Sequence, residues 1–381
     1  LKVLIWNEPK ADKVSLRLRV HSGSAFDPKD KMGVMALLAD ILFPTEQTKN
    51  FFREDLEGSL EVASNYDYIQ INATGKADEF LTILETVAAA AANPPITPEN
   101  LVKVRDERLK TVEELQKNPA YAADMAAAKR LLGDFPYGRP QAGTPDSLKL
   151  IDRADLLTAR DKFFTADNAT LAIAGNVKPD FAYMAARRFF GAWKKSDRLI
   201  PATFRQPEEP SAEKLVIELS NLDKSYSRMA NNAAARNDKD FHASLLAVSI
   251  LQSKLCAKPN YQAHLLRGIF TVADEAAVAP GSGELPVGSS RCELILNDKN
   301  GKIVVPQLTP DDLEKAKSKR LAELTNNSID LWLDVDTFKL ASVKDEFQRL
   351  NSVTLADVRR VAENLFKSPA VSVIVTKAAE K

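Results

Sequence analysis

Histidine is almost missing from this chain. His21, His242 and His264 are the only three in 381 residues, and no two of them stand at i, i+4 spacing. Zinc enzymes draw heavily on imidazole, so the shortage weighs against a metallohydrolase. Cysteine is scarcer still. Cys256 and Cys292 are too few for a disulfide framework and lack metal-ligand spacing; a single bridge and two buried free thiols both remain open. A surplus of one charge is absent too, because 52 basic side chains balance 52 acidic ones. That argues against a nucleic-acid binder working through a general positive field, and no aromatic-basic stacking platform is present. No apolar run approaches the roughly 18–20 residues of a membrane-spanning helix, and the longest small-residue run, residues 87–92, is mostly alanine. Glycine is sparse, with 14 residues, while alanine runs are common, which favours helices. The first residue is Leu1 rather than methionine, as expected where a leader or tag has been removed or left out.

What is present is globular: 45% of residues are hydrophobic and 27% charged. The length exceeds one ordinary core and points to two or three domains of roughly 100–200 residues each. Residues 3–6 and 14–20 read as strands, the second by the alternation of Val14, Leu16, Leu18 and Val20. An apolar helix over 33–43 follows, then a strand over 66–74. Helices are expected over 79–92, 99–116, 118–132, 145–164 and 181–190, with a buried strand over 169–174. Pro201, Pro207 and Pro210 then mark a linker over 201–212.

After the linker the pattern restarts. Strands are expected over 214–219 and 226–235, and apolar helix 240–255 echoes 33–43. The string TPDDLEKAK near residue 309 echoes TPENLVKVR near residue 97, and LNSVTLADVRRVAENLFKSPAVSVIV echoes LIDRADLLTARDKFFTADNATLAIAG. A repeat of this length is domain duplication rather than a solenoid. The fold class is therefore α+β, with one sheet-and-helix domain over 1–200 and a second over 213–381.

Other constellations lead nowhere. The loop GSGELPVGSS over 281–290 lacks the Lys-Ser/Thr ending of a phosphate loop. His21, Ser22 and Ser24 offer neither a nucleophile elbow nor an oxyanion hole. The basic residues of KVRDERLK and EKAKSKR alternate with acids, as on a solvated helix. Trp6, Trp193 and Trp332 are dispersed and read as packing residues.

The order and spacing of several strings carry a resemblance. LKVLIWNEP, VHSGSAFDPKDKMGVMALLADILF, FPYGRPQAGTPDSLKLIDRADL, FFTADNATLAIAGNV and FGAWKK, with TPDDLEKAK in the second half, resemble the insulinase-like, or pitrilysin-type, zinc peptidases. The likeness is nearly continuous over 1–195 and poor over 255–305, where the stretch 279–302 is short and glycine-rich for the family; either this half is pared down or residues are missing from it. Members carry an inverted H-x-x-E-H motif on the helix after this Gly-containing segment. Two histidines one turn apart bind zinc, the glutamate acts as general base, and a distal glutamate completes the site.

In that register the resemblance puts Ala36 at the first histidine, Ala39 at the base and Asp40 at the second histidine, with Glu114 at the distal ligand. Zinc is therefore expected to be absent. Two carboxylates could hold a hard ion only weakly, and a helix carboxylate is more often a solvated or ion-paired surface group. The family's substrate-gripping Arg and Tyr fall on His264 and Thr271 of HLLRGIFT; Arg267 fits only in a shifted register, and Tyr261 does not fit.

The resemblance implies a half-clamshell of two homologous domains without catalysis of its own. It implies a partner, either a zinc-bearing homologue or a second copy, with peptide bound in the chamber between them. The alternatives are a stand-alone structural or peptide-binding homodimer, and a peptidase with an unusual metal site. The compact form resembles secreted bacterial members, so a periplasmic or secreted location is expected, with mitochondrial or cytoplasmic as alternatives.

Overall fold

Alternation builds the first sheet. In β2 (Lys13–Val20) the side chains of Val14, Leu16, Leu18 and Val20 are buried in the core, while Ser15, Arg17 and Arg19 project from the opposite face. β2 lies between two antiparallel neighbours, β4 (Ile69–Lys76) and β5 (Ala169–Gly175), with Leu18 opposite Ile71 on one side and Leu171 on the other. β1 (Lys2–Asn7) pairs parallel with β5, and β3 (Ser59–Ser64) pairs antiparallel with β4, giving the order β1-β5-β2-β4-β3. The computed structural model describes residues 1–211, 213–220, 222–255, 257–277, 305–326, 328–367 and 371–378.

The second sheet repeats this plan. β6 (Leu215–Leu219), β7 (Lys224–Ala233), β8 (Lys258–Ala263), β9 (Gly268–Ala277) and β10 (Val371–Lys377) follow the order β6-β10-β7-β9-β8, with the same parallel and antiparallel senses. The α+β class and the duplication are thus written in the strand order. β3, β8 and β9 were not expected from the sequence. β3 and β8 are sheet edges, and β8 carries Pro259, which an edge tolerates and a central strand does not, whereas β9 lies between β7 and β8.

Helices α1 (Val34–Asp40), α2 (Glu46–Glu54), α3 (Phe80–Ala92), α4 (Pro98–Gln116), α5 (Pro119–Leu132), α6 (Pro145–Leu150), α7 (Arg153–Phe163) and α8 (Pro179–Phe190) belong to the first half of the sequence. The second half contributes α9 (Phe241–Lys254), α10 (Pro310–Asn326), α11 (Ser328–Thr337), α12 (Val343–Ser352) and α13 (Leu355–Lys367). The single helix expected over 145–164 is two. Asp152 takes an extended conformation and caps α7 through the Asp155 N–H, with the Asp155 carboxylate accepting in return from the Asp152 N–H. This reciprocal box satisfies helix donors that a continuous helix would not leave free.

Two compact units emerge, and they cross the division at the 201–212 linker in two places. One comprises Leu1–Glu114, Pro140–Phe204 and Ile329–Thr337; the other comprises Leu115–Arg139, Arg205–Ser328 and Phe338–Lys381. α5 packs on β7 and β10 of the second sheet and buries Ala123, Ala127 and Leu131, spaced one turn apart on one face. α11 lies within the first unit, against the face of the first sheet that bears Arg17 and Arg19. Residues 201–211 form neither helix nor strand. Among the described residues no helix is long and apolar enough to cross a membrane.

Candidate functional site

The short helix α1 is fixed at its start. Gly33 precedes it with φ +101°, and a Cβ there would meet Leu148 Cδ2 at 2.8 Å. The buried Asp27 carboxylate accepts from the Gly33 N–H at 2.8 Å and the Met35 N–H at 2.9 Å, a side-chain cap on two otherwise unpaired donors. Met35, Leu37 and Leu38 anchor the helix in the core, and Ala36 and Ala39 are buried too. Asp40 ends the helix, partly exposed.

α4 lies alongside. Leu101, Val104 and Val112 are buried, and Arg108, one turn beyond Val104, reaches Asp40. Arg108 Nε donates to Asp40 Oδ2 at 2.7 Å and Nη2 donates to Oδ1 at 2.6 Å. This is a two-pronged guanidinium–carboxylate pair, and it uses both carboxylate oxygens. It lines a cavity of about 280 Å³ with Ala39, Lys49, Lys103 and Glu107.

These residues do not fit a zinc ion. The site offers methyl groups at Ala36 and Ala39 and no imidazole, and the one carboxylate on α1 is already held by a cation. Glu114 lies on the exposed side of α4 beyond Arg108 and is not part of the cavity wall, whereas Glu107 is. Among the described residues no group of three His, Cys, Asp or Glu side chains is placed to hold a metal. Arg108 and Glu107 escaped sequence reasoning because ERLK reads as an ordinary solvated stretch; the available signal was the spacing of Val104, Arg108 and Thr111 along one helix face.

The residues that the resemblance puts at the family's substrate grip, His264 and Thr271, sit in the second unit. His264 follows β8, and its ring packs 4.8 Å from that of Tyr137. Thr271 lies within β9, opposite Ala230 and Asn260. Arg267 is committed elsewhere, donating to Asn232 Oδ1 at 2.8 Å and Gln206 Oε1 at 2.7 Å. The His21 ring contacts the Thr337 and Thr170 hydroxyls, both at 3.0 Å, while Ser24 donates to the Asn65 carbonyl and Ser22 accepts from Asn168, so no serine–histidine couple forms here. Trp193 is buried with Nε1 donating to the Phe164 carbonyl at 3.2 Å, whereas Trp6 and Trp332 are exposed. Cys256, Cys292 and the 281–290 loop lie outside the described residues.

The duplicated fold holds a second cavity, about 170 Å³, between α9 and α10. Ser249, Gln252, Tyr261, Lys319, Arg320 and Glu323 contribute to its wall. Beyond it, α9 and α12 carry a buried ionic cluster of His242 and Glu346 with Arg236 and Arg349.

Comparison with known proteins agrees with this architecture. The family model described as Insulinase (Peptidase family M16) matches residues 2–144, and that of the Peptidase M16 inactive domain matches residues 150–292. A Rickettsia felis protein described as an uncharacterized zinc protease is 24% identical over 211 residues, 54% of this chain and 51% of that protein. The alpha subunit of the mitochondrial-processing peptidase of Neurospora crassa is 24% identical over 206 residues, 53% of this chain and 35% of that protein. The chain thus spans about half the length, or less, of these curated relatives. A crystal structure of a peptidase M16 inactive domain from Pseudomonas fluorescens superposes with a TM-score of 0.80 at 20% identity, covering 100% of this chain and 96% of that one. At that identity the likeness speaks for the fold.

Proposed function

The chain belongs to the insulinase family of peptidases, as a member without the H-x-x-E-H motif, and we propose that it serves as the non-catalytic subunit of a zinc-bearing homologue. The observation that carries this reading is the Asp40–Arg108 pair. A paired guanidinium stands beside the helix position that the resemblance gives to the family's second histidine, which supports a site built without a metal. Ala36 and Ala39 supply neither ligand nor base. A chain of this kind contributes chamber wall and sheet edges. β3 and β8 each end a sheet and present a row of backbone groups to which an extended peptide could add. Any gain in turnover would come from orienting peptide, since the chain adds no catalytic group.

The substituted grip positions His264 and Thr271 favour a second reading, a stand-alone scaffold or peptide-binding homodimer. One experiment separates the two. Purified alone, the chain is expected to hold no stoichiometric zinc by elemental analysis and to cleave no peptide. Mixed with a homologue that carries an intact H-x-x-E-H motif, it should co-elute on size exclusion and raise peptide turnover about ten-fold or more, a transition-state gain of about 1.4 kcal/mol. Self-association with no effect on the homologue would leave the scaffold reading. One tight zinc per chain would overturn both.

A further inference from the structure

The first sheet has two unlike faces. Opposite the apolar side of β2, its other face carries Lys2 on β1, Arg17 and Arg19 on β2, Gln70 and Asn72 on β4, and Thr170 on β5, placed side by side by the strand register. Glu61, on edge strand β3 opposite Asn72, shares this face. Onto it folds α11, whose stripe Asp330, Leu333, Asp334 and Thr337 repeats at helical spacing. Arg19 Nη1 donates to Asp334 Oδ1 at 2.7 Å, and its Nη2 lies 3.6 Å from Asp330 Oδ1. Arg17 pairs with Asp330, and Gln70 Nε2 donates to Asp330 Oδ1 at 3.3 Å. Lys2 Nζ and the Thr170 hydroxyl both donate to Asp336, each at 2.8 Å. Arg19 is 2% exposed and stacks 4.1 Å from the Tyr68 ring centroid.

We propose that α11 is a displaceable strap, and that the cationic sheet face beneath it is a docking surface for an acidic amphipathic helix of a partner chain. This reading does not depend on the subunit role.

Three features support it. First, the attachment rests largely on ion pairs and polar hydrogen bonds, with Thr337 meeting Arg19 and His21. Buried guanidinium–carboxylate pairs roughly break even against the hydration they forgo, so closing the strap gains little, and releasing it rehydrates Arg19 and two aspartates. Leu331 and Leu333 are buried but stand outside the apolar cluster that runs through this unit. The other crossing helix differs: α5 is seated on its sheet by Ala123, Ala127 and Leu131, with the Arg228–Asp124 pair added.

Second, α11 is a poor helix by itself. Asp334 and Asp336 lie toward its C-terminal end, and its last turn has no basic residue. Carboxylates there oppose the helix dipole. Its acids suit the sheet's cations rather than the helix that bears them. Third, the sheet groups that meet the aspartates of α11 include Lys2, Arg17 and Arg19, with Glu61 set apart on the edge strand, and this selects an acidic helix over an apolar one.

Two measurements on the full chain test the proposal. A fluorescein-labelled peptide of residues 328–337 is titrated into wild type, into D330N/D334N and into R17Q/R19Q. The neutralised strap is expected to let the peptide bind about ten-fold or more tightly than to wild type, and removal of the two guanidinium groups is expected to abolish binding. Independently, hydrogen exchange of 328–337 in wild type should quicken several-fold from low salt to about 1 M, where the Debye length falls to about 3 Å, while α5 is unchanged. Failure of a folded D330N/D334N chain to bind the peptide overturns the docking surface. Exchange at 328–337 that ignores salt overturns the strap, and that readout stands even if the variants do not fold.

Discussion

A chain carrying Ala36→His, Ala39→Glu, Asp40→His and Arg108→Leu together is expected to take up one zinc ion per molecule, whereas the first three substitutions alone leave binding at least about 100-fold weaker, a difference of roughly 3 kcal/mol. The reason is Arg108. In the native chain its guanidinium is balanced by both Asp40 oxygens. A histidine at position 40 removes that balance, and a guanidinium does not shed its proton to compensate. It would then face a divalent ion about 4 Å away, a repulsion of roughly 8 kcal/mol at an effective dielectric near 20. Leucine removes the charge and keeps the packing against α1.

The same chain identifies the distal ligand. Glu107 borders the cavity with Asp40, while Glu114 is not part of its wall. If the family register holds, Glu114→Gln in the reconstructed chain abolishes uptake and Glu107→Gln does not. Ala36 is buried and outside the cavity wall, so an imidazole there also overpacks the core, by typically 1–3 kcal/mol. Calorimetric titration and melting together separate these effects. Equal zinc affinity with and without Arg108 would show that the guanidinium is no electrostatic plug.

Much of the fold was legible because its signals are local. The alternation in β2, the all-buried run of β5 and the paired strings on either side of the linker all survive as strands and helices in the expected order. β3 was missed because only Leu60 and Val62 in SLEVAS alternate as a strand should. The exchange of α5 and α11 was hidden for a different reason. An amphipathic pattern says that one helix face is covered, not which sheet covers it. The resemblance assigns the motif positions to Ala36, Ala39 and Asp40 by register, and the structure puts all three on α1. The partner of Asp40 could not, because the pairing joins residues 68 apart and depends on how α4 is rotated against α1. Arg19 shows the same limit. In sequence it is one polar residue of an alternating strand; only the placement of α11 makes it the most deeply buried guanidinium of the first sheet.

Removing the Glu346 carboxylate should cost about 3–5 kcal/mol, the range for breaking a buried ion pair from one side. Glu346 is 0% exposed. Its Oε2 accepts from Arg236 Nη1 at 2.6 Å, its Oε1 accepts from Arg349 Nη1 at 3.0 Å, and His242 Nε2 stands 3.3 Å from Oε2. Glu346→Ala removes the carboxylate to which Arg236 Nη1 donates, while Arg236 stays buried beneath Phe241, 4.1 Å from the ring centroid. Glu346→Gln keeps the shape and should cost less, though it too removes the negative charge beside Arg236. The cluster also sets a pH dependence. Burial alone would raise the Glu346 carboxyl, but His242 and Arg236 outweigh it and hold it at about 2. An unfolded glutamate titrates near 4.3, so this contribution is complete above about pH 4.3 and is lost as pH falls from there toward 2. Burial lowers the His242 imidazole despite the neighbouring carboxylate, so the unfolded chain takes up a proton below about pH 6.5 that the folded chain refuses, again favouring unfolding in acid. Urea melts from pH 7 downward should therefore show stability falling from about pH 6.5. His242→Gln should flatten the upper part of that slope and Glu346→Gln the lower part. A Glu346→Ala chain that melts within about 0.5 kcal/mol of wild type, the usual range for a surface change, would mean that the carboxylate contributes nothing to the packing of α9 against α12.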